Sequence, residues 1–180
     1  GTAVITATAV QTPEYKAAVA AYTVKVSDPS ATVTTKTVTY NFGTDTELGF
    51  SSWTGSGYSK HVGEYADATV TFASANKQPA TNAISDMPVT KGGDVIIVMK
   101  DNRTLKSFDL VLKQWTTKAQ TVKLNYSLDG GVTYTESTTS STFALAGELP
   151  AGTNAIKFTF SSTSNQVGIE SCELTFDVAE

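Results

Sequence analysis

A single cysteine, a single histidine, two tryptophans and five prolines in 180 residues remove whole classes of chemistry before any pattern is read. One cysteine, Cys172, closes no intramolecular disulfide, so no disulfide framework holds this chain. Two His/Cys side chains in total fall short of the three or four that a zinc site usually takes. A Ser-His or Cys-His nucleophilic device has to use His61, and Cys172 sits inside an apolar alternation where a free thiol is ordinarily a small buried hydrophobe. Charge is scarce too: 17% of residues, against roughly 25% in an average soluble domain. The 13 basic and 17 acidic side chains leave a net charge of −4. A nucleic-acid binder needs clustered Lys and Arg to displace counterions from phosphates, so no nucleic-acid partner is expected. No run approaches the roughly 18 consecutive apolar residues of a membrane span, and no membrane insertion by this chain is expected. Gly1-Thr2-Ala3 opens the chain without Met and without the basic-then-apolar layout of a signal peptide, so the sequence reads as a processed or excised product.

What is present is hydroxyl, glycine and β-branched side chain. Hydrophobic residues make up 40%, enough to bury a core, and much of the remaining surface is Thr and Ser. Residues 2–10 and 18–26 are small and β-branched on either side of a turn at Pro13, which predicts a β-hairpin. Tyr22, Val24 and Val26 fall on one face at period two. Ser27-Asp28-Pro29-Ser30 follows as a linker. From residue 31 onward, nine strand-like segments occur with no convincing helix between them: 31–42, 68–73, 94–99, 106–114, 120–127, 132–136, 142–145, 154–161 and 170–178. That pattern predicts a β-sandwich. Asp129-Gly130-Gly131 supplies the positive φ angles of a tight hairpin turn, Pro150-Ala151-Gly152 marks another turn, and Val95-Ile96-Ile97-Val98-Met99 reads as a central strand. Residues 43–67 form a Gly/Ser-rich interval with Phe50, Trp53, Tyr58 and Tyr65, longer than compact domains usually tolerate without a functional reason.

Two sets of motifs resemble known bacterial families. Gly1-Thr2-Ala3-Val4-Ile5-Thr6-Ala7 and Tyr22-Thr23-Val24-Lys25-Val26 resemble the last two strands of bacterial immunoglobulin-like repeats. The segments Leu124-Asn125-Tyr126-Ser127-Leu128-Asp129-Gly130-Gly131-Val132-Thr133-Tyr134, Leu149-Pro150-Ala151-Gly152 leading into Ile156-Lys157-Phe158, and Val167-Gly168-Ile169-Glu170-Ser171-Cys172 resemble jelly-roll, galactose-binding-like accessory domains of Bacteroidetes exported proteins. The resemblance implies an all-β chain: residues 1–30 a partial Ig-like β-hairpin and linker, residues 31–180 a jelly-roll β-sandwich. It further implies a secreted or cell-surface module of a larger multidomain bacterial protein. The scaffold carries sugar binding, protein adhesion and plain spacing alike, so the family by itself assigns no binding residue.

The remaining chemistry is aromatic and carboxylate. Trp53, Tyr58, His61, Tyr65 and Trp115 are the candidate ligand-binding residues, because sugar C–H faces stack on aromatic rings beside amides and carboxylates. Core or rim packing is the competing reading for each of them. Asp45/Glu47, Glu64/Asp67 and Glu170/Glu173 are the pairs a glycosidase could draw on, yet loop carboxylates are ordinarily just solvated, and no enzyme activity is expected. No cofactor is required; a structural Ca2+ is the one ion accommodated, with Asp45, Glu47 and Glu170 as candidate metal ligands because hard oxygen donors suit it. The expected function is carbohydrate binding without catalysis. The alternative is a cell-adhesion or structural spacer domain, and the partner is accordingly a glycan or a surface protein.

Overall fold

The computed structural model describes residues 2–9, 12–13, 16, 18–25, 32–50, 57–77, 87–90, 92–114, 121–141, 144–161 and 166–179. The chain divides into two compact units, Gly1–Val33 and Thr34–Ala179. In the first, β1 (Thr2–Ala9) and β2 (Ala18–Lys25) pair antiparallel with Thr2 opposite Lys25 and Ala9 opposite Ala18. This is the expected hairpin. Two strands alone cannot cover both of their faces, and Ile5 and Val19 stand exposed.

The second unit is all-β among the described residues, as expected, and every described pairing in it with a stated register is antiparallel. Its strands are β3 (Val33–Asn41), β4 (Ser59–Glu64), β5 (Ala68–Lys77), β6 (Pro88–Thr90), β7 (Gly93–Met99), β8 (Thr104–Gln114), β9 (Val122–Ser127), β10 (Thr135–Ser141), β11 (Ala144–Glu148), β12 (Ala155–Phe160) and β13 (Val167–Ala179). One layer runs β10-β9-β12-β7-β5-β4 and the other β3-β13-β8-β11. Three-residue β6 joins them, because it pairs with Ala75–Lys77 of β5 on one side and with Val167 and Gly168 of β13 on the other. Its Thr90 is buried, and the hydroxyl is satisfied by the carbonyls of Ser74 (2.8 Å) and Gly92 (2.6 Å). At the far margin β10 and β11 come into contact, so the sheet is nearly closed.

The core lies between the layers. Phe108 of β8 packs on Phe158 of β12 at 5.4 Å between ring centroids, and Phe42 meets Phe72 of β5 edge-on at 5.2 Å. Val95, Ile97 and Met99 alternate inward along β7, which lies between β5 and β12 as a central strand should. Cys172 is fully buried on β13, and burial pushes its thiol far up the pH scale, so the small-hydrophobe reading holds.

Three local expectations need correction. The interval 43–67 is not one long connection, because β4 occupies its last third and carries His61. A further strand, β6, appears where none was expected. The strand expected at 132–136 starts only at Thr135. The reason is Asp129. Its carboxylate accepts the N–H groups of Val132 (3.1 Å) and Thr133 (2.9 Å) and the hydroxyls of Ser127 and Thr133 (both 2.6 Å). These bonds hold residues 128–134 in a broad loop, and the strands meet again only at Tyr126 opposite Thr135. Gly130 and Gly131 do take positive φ, 75° and 85°.

The donors around Asp129, with the Ser127 hydroxyl foremost and then the Thr133 hydroxyl and N–H, hold its carboxyl well below the usual carboxylate range. A depressed folded value stabilises the fold above the unfolded value, about 3.9, and the contribution fades as pH falls below it toward the folded value. Asp129→Asn is therefore expected to melt below the wild type at pH 7, with the gap narrowing progressively below about pH 4. Paired thermal melts across that range test this; a gap independent of pH would refute it.

Candidate functional site

The residues after β3 turn back onto β4. Asn41 accepts backbone N–H groups from Thr44 and Asp45 (both 3.1 Å), and the Asp45 carboxylate accepts the Glu47 N–H at 2.7 Å, which sets a tight Asx-type turn. Gly49 then takes φ of 61° and bonds Thr46. The returning segment seats Leu48 on β4 at Gly63. A Cβ on Gly63 would stand 3.1 Å from Leu48 Cδ2 and 2.9 Å from Tyr65 Cε2, so any larger residue has to displace the Tyr65 ring and crowd Leu48.

His61 is the hinge of this arrangement. Its Nδ1 lies 3.2 Å from the Leu48 carbonyl, which can only accept, so the ring proton belongs on Nδ1. Nε2 is then the acceptor for the Ser59 hydroxyl at 2.9 Å. The Phe50 ring lies against the imidazole at 4.0 Å between centroids, and Phe50 in turn meets Phe72 edge-on at 5.7 Å. Aromatic contact thus runs unbroken from the exposed edge strand into the core.

Tyr65 follows β4 and packs on Tyr40 at 4.6 Å. Burial, with the nearby Asp45 and Glu47 carboxylates, drives its phenol far up the pH scale, and Tyr40 is pushed up for the same first reason. At the neighbouring turn Lys100 binds both the Tyr65 carbonyl (2.6 Å) and the Glu64 carboxylate (3.0 Å). The Lys100 hydrogen bond, then that of Thr69, lowers the Glu64 carboxyl.

Of the candidate ligand-binding and metal residues, Asp45, Glu47, His61 and Tyr65 share this neighbourhood. Tyr58 goes elsewhere: it packs on Met87 and Val89, and burial raises its phenol against the opposing pull of Gln166. Glu170 is engaged elsewhere. It is the extra residue of a bulge in β13, its carbonyl accepts the Phe42 N–H at 3.0 Å, and its carboxylate pairs with Lys113 at 2.7 Å. Among the described residues no three His, Cys, Asp or Glu side chains converge as a metal site, so Asp45, Glu47 and Glu170 are not brought together as one ligand set. Trp53 and Trp115 lie outside the described residues. Sequence reasoning passed over Ser59 and Gly63; the i, i+2 spacing of Ser59 and His61 on one strand face was the available signal for the first.

No family model and no curated protein matches this chain. The arrangement therefore has to be read from its own chemistry. It offers the His61 ring, backed by Phe50, a hydroxyl at Ser59 and two carboxylates at Asp45 and Glu47, carried on β4 and the turn fastened to it.

Proposed function

We propose that the Thr34–Ala179 unit is a non-catalytic recognition module that binds carbohydrate through this patch, as part of a secreted or cell-surface bacterial protein. The observation that carries the reading is the His61 ring on β4, backed by Phe50 and bonded to Ser59, with Asp45 and Glu47 on the turn fastened to the same strand. A ring for the C–H face of a sugar, a hydroxyl beside it, and carboxylates farther along the same strand and turn are the kinds of group a sugar needs. The burial of Cys172 favours recognition over catalysis by that thiol, because it holds the sulfur protonated and out of reach.

A second reading, adhesion or spacing without a small-molecule ligand, draws on a different observation. Tyr58 and Tyr65 both contribute their rings to packing rather than to a free surface.

Fluorescence of the purified chain, titrated with soluble polysaccharides and simple sugars in calcium and then in chelator, separates the two. The carbohydrate reading expects a saturable shift that His61→Ala or Trp53→Ala weakens about tenfold or more, the loss of one good contact. A flat response from a well-folded chain across the whole panel would favour adhesion or spacing. Loss of the shift in chelator would assign a calcium ion to the site.

A further inference from the structure

We infer that the outer face of the β10-β9-β12-β7-β5-β4 layer is a second binding surface, which takes a neutral glycan chain laid across the strands. This rests on the carbohydrate reading above and adds a site to it. Register defines the surface. Glu136 opposes Asn125, Asn125 opposes Lys157, Lys157 opposes Ile96, Ile96 opposes Thr71, and Thr71 opposes Val62. Opposed residues point to the same side of a sheet, so these six form one row over six strands. Five inter-strand steps of ~4.8 Å make the row about 24 Å long. None of the six is fully buried, whereas Leu124, Phe158 and Ile97, one position away along their strands, face the core.

The polar groups on this face are already oriented. In the adjoining row Lys123 opposes Thr159 and Thr159 opposes Asp94. The Thr159 hydroxyl donates to Asp94 Oδ1 at 2.8 Å and receives the Asn125 amide at 3.2 Å. On the other side the loop 128–134 forms a wall. Ala155 points to the same face as Lys157, two residues on, yet it is fully buried, because Gly131 lies against it and against Val98. The loop ends in Tyr134, and the Lys157 ammonium sits 4.6 Å from the centre of that ring. Hydrogen bonds from Gly130 N–H to Asn154 (2.8 Å) and from Asn154 to the Leu128 carbonyl (3.1 Å) fasten the wall to the sheet. Groups held on strands and on a bonded loop need little reordering when a ligand arrives.

Charge selects the occupant. Lys123 pairs with Glu136 at 2.7 Å and Lys100 with Glu64 at 3.0 Å, and Lys157 and Asp94 add one charge of each sign. Exposed Lys60, two residues before Val62 on the same side of β4, is a fourth cation. Four cations against three carboxylates, two pairs of them already joined, leave no strong excess of either sign to hold a polyanion or a polycation. Half-exposed Ile96, Val62 and Tyr134 suit C–H faces, while Asp94, Asn125 and Lys157 supply acceptors and donors for hydroxyls. A row this long fits an oligomer better than a single sugar.

Affinity gels carrying xylan, β-glucan, mannan or galactan, run with the wild type, Tyr134→Ala, Asp94→Asn and His61→Ala, test the inference. Any polymer that retains the wild type is then titrated as oligosaccharides of increasing length. The expected result is that Tyr134→Ala and Asp94→Asn each weaken binding at least tenfold, and that affinity rises with chain length. Asp94→Asn keeps the side-chain shape, so it decides if a thermal melt shows Tyr134→Ala to be unfolded. Wild-type retention that both folded variants preserve, and that His61→Ala loses, overturns this surface and leaves the patch on β4 standing. No retention of the wild type by any polymer overturns both. A dimer seen by sedimentation and broken by Tyr134→Ala, with no glycan retention, assigns the face to a second copy of the chain and also overturns the inference.

Discussion

Phe72→Ala is expected to lower unfolding stability by about 3–5 kcal/mol, the range for truncating a fully buried aromatic. Phe72 has no solvent exposure, and two rings meet it edge-on, Phe42 at 5.2 Å and Phe50 at 5.7 Å. The loss therefore combines transfer of the ring with a cavity that two stiff neighbours cannot easily fill. For a chain of this size, 1 kcal/mol corresponds to roughly 2–4 °C in melting temperature, so the shift should be unmistakable. Ile97→Val, at an equally buried position in the neighbouring strand, should cost only about 0.5–1.5 kcal/mol. The more informative effect is at the surface. Phe50 rests on Phe72 from one side and carries His61 on the other. A folded Phe72→Ala protein should consequently lose sugar-dependent fluorescence change as well as stability, while Ile97→Val keeps it. Urea unfolding with the sugar titration on the same samples measures both. Equal behaviour of the two variants in the titration would show that Phe50 holds His61 without support from the core.

The all-β class was legible because alternation is a local property. Val95-Ile96-Ile97-Val98-Met99, opened by Gly92 and Gly93 at φ of 100° and 96°, became β7 with partners on both edges. The Pro150-Ala151-Gly152 turn was equally readable, and the Thr153 N–H closes it onto the Pro150 carbonyl. β4 was not. In Ser59-Lys60-His61-Val62-Gly63-Glu64 the inward position is a glycine whose missing side chain is replaced by Leu48 and Tyr65, so counting apolar residues finds no strand. The loop at Asp129 was half legible. The dipeptide signal gave the φ angles correctly, but the turn size depends on a carboxylate collecting donors from Ser127, Val132 and Thr133, which no backbone rule counts.

The candidate site was legible in residue types and hidden in arrangement. His61 and Tyr65 stood out as the imidazole and an aromatic in a glycine-rich stretch, yet their nearness to Asp45 depends on the 44–49 turn folding back. Asp94 and Lys157 carried no signal at all, since they share a face only through the pairing of β7 with β12.

Gly131→Ala should be the most damaging single change in the loop at Asp129, and Gly130→Ala is its internal control. Both glycines have positive φ, 75° at Gly130 and 85° at Gly131, so an alanine at either meets the left-handed penalty of about 1–2 kcal/mol. A Cβ on Gly130 would find open space. On Gly131 it would stand 2.8 Å from the Tyr134 hydroxyl and 3.3 Å from Val98 Cγ2. Overpacking of that kind adds about 1–3 kcal/mol, for a total of roughly 2–5 kcal/mol. Subtracting one variant from the other removes the backbone contribution and leaves the contact alone. The Tyr134 hydroxyl, at the closer 2.8 Å, is the far end of a side chain and has to swing aside, whereas the Val98 methyl on a central strand has to yield only by a few tenths of an ångström. If relief comes from Tyr134, the ring leaves Lys157, and Gly131→Ala should weaken glycan binding even where its stability cost is small. Urea unfolding of both variants, read beside their retention on the polysaccharide gels, distinguishes these routes. Equal stability and equal retention would mean that the loop reaches the sheet through its hydrogen bonds and not through the seating of Gly131 on Val98.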